Sequence, residues 1–174
     1  MLRKEDDKVY GVLNDLDLAV DADVKSASSK QCTGTKPFMA INLLRPDPPV
    51  HMYRHDLESM FYVVVWITSR FHNGDEILDP PLQEWADNGG LALLEKKNLF
   101  IMSVPPQRTA HFESFGRWVV SMQKMMRDGF SARTEYFSEV GLAESPNLPP
   151  FEHETLGGFV TFDKFQAILN TKLQ

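Results

Sequence analysis

At 174 residues, with 43% hydrophobic and 24% charged side chains, the chain has the composition of one globular domain with a sizeable core, which excludes wholesale disorder. A formal net charge of -6 and a pI near 5.3 argue against a general nucleic-acid binder or a binder of acidic membranes. Cys32 is the single cysteine, so no internal disulfide forms and a cysteine-based metal site is close to excluded.

Met1 to Asp7 is charged and has no apolar core, so it does not read as a secretory signal. The longest apolar run, Met60 to Thr68, falls short of the roughly 20 residues a membrane span needs. The expectation is a soluble intracellular protein, cytoplasmic or nuclear.

Lys8 to Asn14 alternates weakly and is rich in Val, Tyr and Leu, which predicts a short strand or hairpin. Gly11 in it marks a bulge or a close backbone approach. Asp15 to Thr33 is polar, small and acidic and predicts a long surface loop. Pro46, Pro48 and Pro49 break the chain again. Val63-Val64-Val65 favours a strand by propensity, but the run from Asp56 to Phe71 is too long for one. Leu57, Met60, Phe61, Val64, Val65 and Ile67 cover nearly every side of a helical wheel, so a buried central helix is predicted over 55–71.

Pro80-Pro81 opens a short helix from Leu82 to Asn88, stopped by Gly89-Gly90, and Leu91 to Met102 predicts another. Thr109 is a plausible N-cap for a helix over 109–128, with Gly129 just past its end and Phe112, Phe115, Val119, Met122 and Met126 as its apolar stripe. Pro146, Pro149 and Pro150 suggest a linker. Thr161 then caps a last amphipathic helix, within 160–172, carrying Phe162, Phe165, Ile168 and Leu169. The fold class is mainly α, with one short strand or hairpin near the start.

Three motifs follow one another. Val12-Leu13-Asn14-Asp15-Leu16-Asp17-Leu18-Ala19 is an apolar strand ending in an acidic turn. Gly34-Thr35-Lys36-Pro37-Phe38-Met39-Ala40-Ile41-Asn42-Leu43-Leu44 comes next, and Asp56-Leu57-Glu58-Ser59 opens the long helix. Each has an ordinary explanation alone: Asp forms turns, Gly34 permits one, and Asp at a helix start is a common cap. Other constellations are weaker. His51 and His55 are four apart but lack the zincin pattern, Asp15 to Asp23 lacks the EF-hand glycine, no G-x-S-x-G exists, and Cys32 has no base partner.

In this order the motifs resemble the C-terminal lobe of eukaryotic protein kinases, and their wording resembles the fungal-type protein kinase family from Val9 to about Leu169, Thr155-Leu156-Gly157-Gly158 included. Leu-Glu-Ser is similar to casein kinase I relatives. The resemblance implies an ATP-dependent Ser/Thr phosphotransferase fold from a fungal source. It implies that Asp15 holds the magnesium bridging the ATP phosphates, a hard cation that needs an anionic oxygen close by. Leu16 stands in an aromatic slot and Asp17 in a glycine slot.

Residues 15–44 are then activation-segment-like. Gly34 and Thr35 begin a wall for the substrate peptide, with the Thr hydroxyl bonding the catalytic loop, and Asp56 and Ser59 open the central helix, where the Asp accepts bonds from catalytic-loop backbone. Ile41 and Asn42 replace the usual Pro and Glu, so the ion pair of that Glu with a buried Arg late in the lobe is lost.

The rest of the kinase machinery is not among these residues. There is no G-x-G-x-x-G, and no His-Arg-Asp loop precedes the Asp15 turn. Arg54-His55-Asp56 lies downstream of it, with Phe61 where the second metal-binding Asn would stand. The expectation is a partial kinase domain, inactive alone, with Mg and ATP implied by the family only and none bound by this chain by itself. One side of the central helix should be uncovered, giving poor solubility and favouring a protein partner or the missing kinase lobe. The competing class is a non-catalytic interaction module of kinase fold. Ser26, Ser28, Ser29 and Thr33 in the 17–33 loop are candidate phosphorylation sites, with Lys25, Lys30 and Lys36 near enough in sequence to pair with added phosphate.

Overall fold

The computed structural model describes residues 2–5, 8–11, 35–142 and 148–172, with side chains described in the last two segments. The chain divides into two units, Met1–Gln31 and Cys32–Gln174.

In the first unit, β1 (Leu2–Glu5) pairs antiparallel with β2 (Lys8–Gly11) in an unbroken register from Leu2↔Gly11 to Glu5↔Lys8. Gly11 is therefore a regular ladder partner and not the expected bulge. Val12 to Asn14, the rest of the predicted strand, lies outside the described residues, as does the loop to Thr33.

The second unit is helical and built around α1 (Tyr53–Arg70). This helix starts ahead of the predicted 55–71 span because His55, in its first turn, caps it. The Met52 N–H donates to His55 Nδ1 at 3.1 Å, and the His55 N–H donates back to the Met52 carbonyl at 2.9 Å. Phe71 does not continue the helix as expected. It is extended (φ -112, ψ 143) and begins a small hairpin, β3 (Phe71–His72) with β4 (Asp75–Glu76). Asn73 (φ 52) and Gly74 (φ 96) supply the two left-handed residues of its tight turn, so an Asn-Gly signal overrides the helix.

A short helix, α2 (Gln83–Asp87), and α3 (Gly90–Met102) match the predicted pair. The helix predicted over 109–128 differs at both ends. Thr109 makes no side-chain cap; its Oγ1 donates to the Phe71 carbonyl at 2.6 Å and its N–H to the Thr68 carbonyl at 3.0 Å, pinning this segment to the end of α1. A 3₁₀ stretch, Ala110–Phe115, leads into α4 (Gly116–Leu142), which runs straight through Gly129. Gly129 is a packing position and not a stop. A Cβ there would stand 3.0 Å from Leu156 Cβ and 3.3 Å from Phe159 Cβ, so only glycine lets the 155–159 turn approach this closely. Finally α5 (Phe162–Leu169) is capped by Thr161, whose hydroxyl accepts from the Lys164 N–H at 3.3 Å, as its sequence predicts.

Phe61, Tyr62 and Val65 of α1, Leu93, Phe100 and Ile101 of α3, and Val119, Met122 and Met126 of α4 form the core with Trp85, Leu156, Val160 and Phe165. Each such side chain contributes roughly 1.5–3 kcal/mol by leaving water. Gln123 of α4 donates its amide to the Phe100 and Ser103 carbonyls at 2.7 and 3.0 Å, satisfying groups left over at the end of α3. The central helix is less uniformly buried than its apolar wheel suggests. Met60 is 52% and Ile67 41% exposed, while Arg54, His55, Glu58, Thr68, Ser69 and Arg70 are all buried.

Candidate functional site

Residues 35–44 form a ledge of two 3₁₀ turns, Lys36–Phe38 and Ile41–Leu44, each entered from extended backbone. Pro37 supplies a preset φ in the first turn, and Ala40, with no exposure at all, is the small residue that lets the ledge lie close to its support. Phe38 meets the edge of Trp66 with ring centroids 5.8 Å apart. An apolar strip thus seats the ledge, but the register is fixed by polar bonds.

Glu58 makes the first of them. Its Oε1 accepts from the Ile41 N–H and from the Tyr62 hydroxyl, both at 2.7 Å, in a position with 1% exposure. Lys97, reaching from α3, makes the second. Its Nζ donates to the Met39 carbonyl at 2.5 Å and stands 3.7 Å from the Tyr62 ring centroid and 5.1 Å from that of Trp85. One donor and one acceptor of the ledge backbone, two residues apart, are therefore clasped by opposite charges from two helices.

Burial pushes the Glu58 carboxyl up, against the Ile41 and Tyr62 bonds and the Lys97 charge that favour its ionised form. Burial pulls Lys97 down to about 7, with Glu58 acting in the opposite sense. The cation–aromatic contacts supply part of the stabilisation that lost water no longer gives.

Lower on α1, Arg70 is the second buried anchor. Its Nε donates to Glu76 Oε1 at 2.9 Å, Nη1 to the Pro81 carbonyl at 2.6 Å and Nη2 to Gln83 Oε1 at 2.8 Å, with the guanidinium 3.8 Å from the Trp66 ring. Trp66 is thus gripped between the ledge and Arg70.

The predicted site residues fall as follows. Asp15 and Gly34 lie outside the described residues. Thr35 is exposed at the start of the ledge and makes no side-chain cap. Asp56 is exposed on the first turn of α1, where it accepts from His51 Nε2 at 3.2 Å. Ser59 is half-buried and makes no side-chain hydrogen bond among the described residues. Asn42 is buried.

Of the Asp-Leu-Glu-Ser motif, then, the glutamate carries the contact with the ledge. Neither Glu58 nor Lys97 was assigned a role from sequence. A charged residue on the Phe61, Tyr62 and Val65 side of an apolar helix was a usable signal for Glu58, whereas Lys97, beside Glu95 and Lys96, gives none.

His51 and His55 meet edge to face at 5.4 Å, and burial together with the Arg54 and His51 charges pulls His55 down to about 3. A neutral imidazole there is what the Met52 cap requires. Among the described residues no group of three or more His, Cys, Asp or Glu side chains is placed to hold a metal ion. No helix among them is long and apolar enough to cross a membrane.

The comparison with known families bears on the first part of the chain. The family model described as fungal protein kinase matches residues 1–68, taking in Asp15, the ledge and α1 as far as Thr68. Over that segment the chain is similar to the fungal protein kinase family. No curated protein and no solved structure matches the chain.

Proposed function

We propose that this chain supplies the peptide-docking part of a protein-kinase fold, with the ledge of residues 35–44 as the wall against which a Ser/Thr substrate segment lies. The observation that carries this reading is the double clasp of Ile41 and Met39 by Glu58 and Lys97, which holds the ledge backbone in one register on α1. A docking wall has to be fixed in advance, because phosphoryl transfer is mostly positioning.

Transfer itself needs a phosphate-covering loop, its lysine and a catalytic Asp, and these 174 residues contain no G-x-G-x-x-G and no His-Arg-Asp ahead of the ledge. A magnesium role rests on Asp15, which lies outside the described residues. The chain by itself is therefore expected to be inactive. Incubating it with Mg-ATP and a mixed Ser/Thr peptide pool tests this. Wild type and Asp15→Ala should both give background phosphate incorporation, whereas transfer that depends on Asp15 would establish a complete enzyme and overturn the reading.

A second reading, a non-catalytic module of kinase fold that binds a protein, is favoured by the exposure of Met60 (52%) and Ile67 (41%), seven apart on one side of α1. Polar replacement of both would leave folding intact and abolish partner capture under this reading; unchanged capture would dismiss it.

A further inference from the structure

The segment that joins α3 to α4 encloses a small cavity that the ledge and its clasp do not use. Its volume is about 210 Å³, and it is lined by Gln107, Arg108, Ala110 and Glu113. That is below the roughly 300–1,000 Å³ of sites for drug-sized ligands and suits a smaller molecule. The backbone holds its walls in place. Pro105 and Pro106 fix φ just ahead of it. Thr109, between two of the lining residues, is pinned to the Thr68 and Phe71 carbonyls and accepts in turn from the Phe112 N–H at 2.9 Å.

Three of the four lining side chains are polar, and none of the three makes a hydrogen bond or an ion pair among the described residues. Arg108 is half-buried and the innermost of them, while Gln107 and Glu113 are exposed. The Arg108 guanidinium rests on the backbone of Gly116, where a Cβ would stand 2.7 Å from Nη2 and 2.9 Å from Cζ. That seat shuts Nε away from water without an acceptor. What Arg108 offers a ligand is therefore the edge that lines the cavity, not Nε.

One cavity thus presents an unpaired cation, an unpaired anion and a carboxamide. A ligand of single charge meets a like charge there, Glu113 opposing an anion and Arg108 a cation, which selects against both. A molecule carrying both charges answers both residues.

We infer that this cavity binds a small zwitterion of the α-amino-acid class, its carboxylate on Arg108, its ammonium on Glu113 and a short polar side chain toward Gln107. Guanidinium and carboxylate form charge-assisted, bidentate bonds. The Gln107 carboxamide both donates and accepts, so it matches a second amide. The site is separate from peptide docking on the ledge and does not rest on it.

Titration of the full chain with L-asparagine tests this, followed by NMR at the backbone amides of residues 107–113 at constant ionic strength, with acetate and methylammonium as single-charge controls. Saturable shifts are expected for L-asparagine, with a Kd on the order of 1 mM, and none that saturate for either control. Arg108→Gln should weaken binding about tenfold or more. Glu113→Gln should weaken it about twofold to fivefold, because its carboxylate is exposed. That exposure also lets the Glu113 variant read the site without disturbing the fold, which the Met122 amide of α4 reports in each protein. No saturable shift with L-asparagine would overturn the inference. So would acetate binding as tightly as L-asparagine, which would mark a plain anion site, or unchanged affinity in either variant.

Discussion

Glu58→Leu is the most informative single change. It removes the acceptor of two 2.7 Å hydrogen bonds and leaves the Ile41 N–H and Tyr62 hydroxyl buried without their partner. Hydrogen bonds to a charged group contribute about 1.5–3 kcal/mol each. The substitution also removes the carboxylate whose charge favours the Lys97 ammonium, in a position with no exposure. These terms describe the same carboxylate and do not add, so the expected loss is about 4 kcal/mol, read from urea unfolding. For a chain of this length that lowers Tm by about 8–16 °C.

The companion variant Lys97→Met and the double variant complete a cycle. Replacing both charged groups with apolar ones is milder than leaving either alone in the interior, so the double variant should be more stable than the sum of the singles by about 2 kcal/mol. A Glu58→Leu protein within about 0.5 kcal/mol of wild type, or strict additivity in the cycle, would refute the clasp.

Three further changes test other parts of the account. Lys97 is held at about 7 against 10.5 for a free lysine, so between those values the unfolded chain binds a proton that the folded chain does not. Stability should therefore rise as pH goes from about 7 to about 10, and the slope should flatten in Lys97→Met. Gly129→Ala should cost about 1 kcal/mol despite the better helix propensity of alanine, because the new Cβ meets Leu156 Cβ at 3.0 Å; a gain in urea midpoint would show that the 155–159 turn yields easily. Asp56→Asn should change stability by less than about 0.5 kcal/mol, since its partner His51 is exposed like itself. A large loss there would mean that Asp56 holds buried backbone as the kinase resemblance implies.

Much of the helical frame was legible in the sequence because it is written in apolar spacing and punctuation. Pro80-Pro81, Gly89-Gly90 and Thr161 mark real helix limits. What was misread has specific causes. Gly129 reads as a stop because its neighbours in space, Leu156 and Phe159, are distant in sequence. Phe71 reads as helix because apolar periodicity outweighs the Asn73-Gly74 turn signal that follows it. The helix start reads late because Asp56 is the ordinary capping residue type, whereas His55 makes the cap. The ledge motif was visible as a string, but its clasp was not, since Lys97 looks like any solvated lysine until α3 is folded against the ledge. Asp15 and Gly34 lie outside the described residues, so the clasp geometry does not bear on them.

Hydrogen exchange at the Ile41 amide addresses the seated ledge most directly. If Glu58 holds that N–H, Ile41 should exchange at least about 100-fold more slowly than the exposed Val50 amide, and Glu58→Leu should abolish the difference while Met122 amide protection in α4 persists. Equal exchange at Ile41 and Val50 in the unaltered protein would mean the ledge is not fixed on the helix, and the docking role proposed for it would fall.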